Sequence, residues 1–92
     1  METCKIISYD LRKQGRNYEK LTNAIHNYLF VDKVCESTWI IKTNQSCSEI
    51  LENLNSHIDQ NDRLFVAEIT NDTAGKNLLC QEQWLRSMIS RV

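Results

Sequence analysis

The apolar segment CKIISYDL, residues 4–11, closes on a carboxylate, and the segment behind it, RKQGR, carries three cations. Asp10 is therefore the first candidate for chemistry. A carboxylate at the C-terminal end of a strand reaches into the space above the sheet edge, where loops converge. Magnesium and other hard divalent ions are held by such oxygens and keep several waters of their own. One carboxylate makes a poor cage, so a metal at Asp10 calls for a second copy of the chain in a homodimer. The plainer role is equally open: Asp10 caps the next turn, or pairs with Arg12, Lys13 or Arg16.

Arg12, Lys13 and Arg16 surround Gly15. Cations on such a loop suit phosphate, with backbone amides able to approach closely; the alternative is a solvated loop. Glu36, Ser37 and Thr38 sit at a joint between two strand-like runs, where a hydroxyl or carboxylate can face the same end as Asp10. The alternative is a joint that is polar only because it kinks. His26 and His57 fall in separate helices, each without a second histidine four residues on, and are expected at the surface or at caps. Cys4, Cys35, Cys47 and Cys80 form no close pairs, which argues against structural zinc and for unpaired thiols. There is no Walker-type glycine loop. No serine or cysteine nucleophile stands at a recognisable spacing from a histidine. RLFVAEIT lacks the Gly-Phe pattern of an RNA-recognition sheet.

The elements that must position these residues follow from periodicity. CKIISYDL is partly apolar on both faces, as expected of an inner strand. Asn17 is a candidate N-cap for a helix that aligns Tyr18, Leu21, Ile25, Tyr28 and Leu29. VDKVCESTWIIKT, residues 31–43, is too long for one ordinary strand and reads as two with an irregular joint near Glu36–Ser37, or as one long kinked strand. Ser46 and Glu49 form a capping box before a helix that aligns Cys47, Ile50, Leu51, Leu54 and Ile58. RLFVAEIT, residues 63–70, is a further strand. Trp39, Phe65 and Trp84 are expected in the core. The tail LLCQEQWLRSMISRV has helical spacing, against a competing short strand at Lys76–Cys80. The order β-α-β-β-α-β predicts an α+β, ferredoxin-like sandwich: a four-stranded antiparallel sheet with two helices on one face. Residues 71–92 are a C-terminal appendage to this single domain, 1–92.

The chain has 92 residues, 41% hydrophobic and 25% charged, with a net charge of −1. That is one globular domain, with no general cationic coat for nucleic acid. The N-terminus lacks a basic segment followed by an apolar run, and no apolar run approaches ~20 residues. No signal peptide or membrane partner is expected, and the cytoplasm is the expected compartment.

IISYDL with a basic loop, a helix, ESTWIIKT, a capped helix and IDQNDRLFVAEIT together resemble the CRISPR-associated Cas-two superfamily. Within it the chain looks most like short stand-alone bacterial proteins described as SinR-like. The resemblance spans residues 4–70, and its specific parts are YDL at the strand end and ES-TW-I. It implies a ferredoxin-like fold and a homodimer. In that family the aspartate ending the first strand faces its dimer mate and is proposed to bind a divalent metal, magnesium here, for phosphodiester cleavage. Asp10 matches that position, Arg12 and Arg16 match the loop loosely, and Ser37 matches a serine common in the second strand segment. Toxin relatives such as virulence-associated protein D share the fold and cleave RNA. Other members bridge integrase subunits on DNA without needing the aspartate. The resemblance thus implies either a metal-dependent endonuclease acting on RNA or DNA, or a non-catalytic dimeric scaffold for nucleic acid or a protein partner. The tail around Trp84 and Leu85 departs from the family's fifth strand, which often crosses to the partner.

Overall fold

A computed structural model describes residues 2–12 and 18–89. The chain runs β1 (Thr3–Asp10), α1 (Glu19–His26), β2 (Phe30–Cys35), β3 (Thr38–Thr43), α2 (Cys47–Asn55), β4 (Arg63–Ile69) and α3 (Glu82–Ile89). The strands form one antiparallel sheet in the order β2-β3-β1-β4, so β1 is an inner strand, as its two apolar faces require. This is the ferredoxin-like βαββαβ arrangement with a C-terminal helix added.

Alternation along each strand divides the core in two. On one face Ile7, Trp39 and Ile41 pack against Leu21, Ala24 and Ile25 of α1 and Ile50 and Leu54 of α2. On the other face Cys4, Ile40 and Val34 pack against Cys80 and Leu85, Met88 and Ile89 of α3. Each fully buried aliphatic side chain, Ile7 or Leu54 for example, contributes about 1.5–3 kcal/mol. Lys5, on the first face, is buried; its Nζ donates to Thr3 Oγ1 and lies 3.4 Å from Glu68 Oε1, so the charge is paired.

Local signals account for the ends of the elements. Glu49 N donates to Ser46 Oγ at 3.1 Å and Ser46 N donates to Glu49 Oε1 at 2.8 Å, completing the capping box of α2. The joint between β2 and β3 is a tight turn at Glu36–Ser37, with a bulge between Lys33 and Cys35. Two expected core positions are solvent-exposed. Leu29 is 81% exposed because α1 ends at His26 and the helical stripe stops short of it. Leu51 is 42% exposed, about 100° around α2 from Ile50. Asn17, the expected N-cap, lies outside the described residues.

The tail is helical over Glu82–Ile89, starting later than the expected Leu78, and residues 90–92 lie outside the described residues. Lys76–Cys80 is not a strand: Asn77 has φ 54°, which breaks an extended backbone, and Leu79 N makes a single bond to Val34 O at 3.0 Å. Among the described residues no helix is long and apolar enough to cross a membrane, and no disulfide joins the four cysteines.

Candidate functional site

Asp10 stands at the last position of β1, directly across from Arg63, the first residue of β4. Arg63 Nη1 donates to Asp10 Oδ2 at 2.8 Å, and Arg12 Nη1 lies 3.6 Å from the same oxygen. The carboxylate is 58% exposed and both guanidinium groups are comparably open. The ion pairing expected from the basic loop is therefore present through Arg12. The stronger partner is Arg63, which sequence reasoning treated only as a strand start. Antiparallel pairing brings the start of β4 to the end of β1, and the register sets Arg63 opposite Asp10.

Among the described residues, Asp62 is the carboxylate that ties down the exit of β1. Asp62 Oδ1 accepts from Arg12 N at 2.8 Å and from Tyr18 O–H at 3.3 Å, and its Oδ2 accepts from Asp59 N at 2.7 Å. One carboxylate thus joins the exit of β1, the entry to α1 and the turn before β4. Ser37 reaches the same end of the sheet, since its carbonyl accepts from Tyr9 N at 3.1 Å. Lys13 and Arg16 lie outside the described residues.

The face that carries Asp10 is graded. Along β1 it reads Cys4, Ile6, Ser8 and Asp10, from buried to exposed. On β3 it reads Lys42, Ile40 and Thr38, and Thr38 Oγ1 donates to Ser8 Oγ at 3.5 Å. α3 covers the Cys4–Ile40 end and leaves the other end open. β4 contributes Ile69, Ala67, Phe65 and Arg63 to this face. Phe65, expected in the core, is 65% exposed there, across from Ser8. A shallow cavity of about 200 Å³ lies among Ser8, Asp10, Arg63 and Phe65.

Within one chain the donors at this mouth do not fit magnesium. Among the described residues Asp10 stands between two guanidinium groups, and the Asp62 carboxylate nearby is engaged by Arg12 N, Tyr18 Oη and Asp59 N, where a hard ion takes several oxygen ligands. Elsewhere, among the described residues, no three His, Cys, Asp or Glu side chains converge. His26 is exposed and sets its ring edge-on to buried Trp39, with centroids 4.9 Å apart. Trp39 Nε1 in turn donates to Tyr9 Oη at 3.1 Å. Burial raises the Cys80 thiol above its ordinary pKa, and the charges of Asp32 and Cys35 act in the same direction. No protein-family model matches the chain, and no curated protein matches it.

Proposed function

We propose that the chain is a Cas-two-like homodimeric interaction module of the cytoplasm. Two copies pack the open halves of their sheets together and present the joined rim to nucleic acid or to a protein partner. The observation that carries this reading is Phe65, a ring 65% exposed at the end of the sheet face where its neighbours Ser8, Thr38, Asp10 and Arg63 are polar. Burying such a ring contributes about 1.5–3 kcal/mol, and a two-fold dimer buries it twice. The rim supports the same pairing. Asp10 lies between Arg63 and Arg12, so the patch carries both signs and complements its own rotated copy. An apolar centre with a polar rim is also the common anatomy of an interface. Arg12, Lys13, Arg16 and Ser37 are the proposed nucleic-acid contacts.

Light scattering tests the pairing. The expected mass is twice the 10.8 kDa of one chain, falling to a single chain in Phe65→Glu. A monomeric native protein, or a Phe65→Glu variant that stays dimeric, overturns the reading. On that dimer, a steep loss of binding with salt marks phosphate contacts, whereas a flat response marks a protein partner.

A second reading, a magnesium-dependent endonuclease, is favoured by one observation: Asp10 is open and on the same face as Phe65. Face-to-face pairing brings two copies of that carboxylate to one seam. This reading expects magnesium-dependent cleavage of RNA or DNA that disappears in Asp10→Ala. Cleavage retained by a pure Asp10→Ala protein sinks it.

A further inference from the structure

Beneath α3, on the covered half of the same face, the core does not close. Ile6, Ile40 and Ile69 of the sheet and Leu78, Leu85 and Ile89 of the tail line a cavity of about 210 Å³. Among the described residues none on its wall is charged. Protein interiors hold few voids larger than a water molecule, and an engineered aliphatic cavity of about 150 Å³ takes up benzene. The second observation is Thr73, which also forms part of the wall. Its Oγ1 is buried and has no hydrogen-bond partner, whereas buried hydroxyls are almost always paired. Gly75 holds the wall in shape, since a Cβ there stands only 2.5 Å from Leu78 Cδ1.

We infer that this cavity binds a small, uncharged, mainly apolar molecule bearing one hydrogen-bonding group, with Thr73 as its polar contact. An ion entering the cavity loses its hydration and gains no counter-charge. Water is a poorer occupant, because it needs two to four polar partners and, besides Thr73, only Cys35 and Thr38 interrupt the aliphatic wall, Thr38 Oγ1 already donating to Ser8 Oγ. A compact aromatic with one N–H or O–H fills the volume and supplies the partner that the hydroxyl lacks. The inference is independent of the dimer reading.

Indole and 1-methylindole are the probes, the second lacking the N–H donor, and the readout is a methyl-detected NMR titration of the whole chain. Indole is expected to shift the methyl signals of Ile6, Ile40, Leu78 and Ile89 saturably. 1-Methylindole is expected to bind about fivefold more weakly. In Thr73→Val, which keeps the shape and removes the hydroxyl, the two probes become equal. Ile69→Phe, with its native-like spectrum checked first, fills the cavity and abolishes the shifts. Unsaturable shifts up to the solubility limit of indole, equal affinities in the native protein, or undiminished binding by Ile69→Phe overturn the proposal.

Discussion

Two carboxylates at one end of the sheet are expected to differ sharply in what their removal does. Asp10 pairs across strands with Arg63 at 2.8 Å and more loosely with Arg12 at 3.6 Å, but its side chain is 58% exposed. Exposed ion pairs contribute about 0.2–1 kcal/mol, so Asp10→Ala is expected to lose ~0.5 kcal/mol, much of it already absent in high salt. Asp62 accepts three bonds, at 2.8, 3.3 and 2.7 Å, two of them from backbone amides of different segments. Bonds to a charged acceptor are worth about 1.5–3 kcal/mol each when buried. The half-buried setting of Asp62 brings the sum to ~3 kcal/mol. In a domain of this length 1 kcal/mol moves Tm by about 4–8 °C. Asp10→Ala should therefore melt within ~4 °C of the native protein, and Asp62→Ala at least ~12 °C below it. Circular dichroism melts of the three proteins, repeated in high salt, measure both numbers. If Asp10→Ala is the less stable variant, Asp10 is a structural residue, and its loss of function carries no chemical meaning.

Ser46→Ala removes one half of the capping box and should cost about 1 kcal/mol, read as a lower urea midpoint with an unchanged slope. Asn77 sits at φ 54°, so Asn77→Val should be ~1–2 kcal/mol less stable than Asn77→Gly in the same urea titration. The Cys80 thiol is held above its ordinary pKa by burial, so the unfolded state ionises it first. The stability it contributes is complete below about pH 8.5 and is lost as pH rises through the folded value. The native protein should lose more stability between neutral pH and pH ~10 than Cys80→Ala does, and an equal loss contradicts the assignment.

Much of the fold was legible because its signals are local and periodic. β1 reads as an inner strand from two apolar faces, the strand joint at Glu36–Ser37 from excess length, and α2 from Ser46 and Glu49. What escaped depends on what lies across space. Helical spacing placed Leu29 and Leu51 in the core, but it carries no information on where α1 stops or how wide its buried stripe is. Asp10 was visible as an acid after an apolar run, and Arg12 as its near neighbour. Arg63 and Asp62 come to that end of the sheet only through the β1–β4 register. Phe65 was assigned to the core on residue type alone. Its exposure depends on where α3 stops, which no spacing within β4 encodes.

The position of α3 turns the mouth of β1 into a candidate site. In the two-layer sandwich predicted from periodicity, the second sheet face is open throughout, and Cys4, Ile6, Ile40 and Ile69 would face water. The added helix covers those residues, and the side chains of β1 become more polar as the cover runs out. Such a gradient needs no partner: Ser8, Thr38 and Asp10 are ordinary solvent-facing residues. Phe65, on β4, runs against it, a large ring at the polar end beside Asp10, and it is more exposed than Phe30, which is 40% exposed on β2 of the same face. A lone exposed apolar residue is unremarkable on a protein surface. Along β1 the positions follow their cover and Phe65 beside them does not, which the proposed dimer would account for. That makes Phe65, rather than Asp10, the residue to test first. Asp10 has chemistry available to it only if the face around Phe65 is occupied by a second copy.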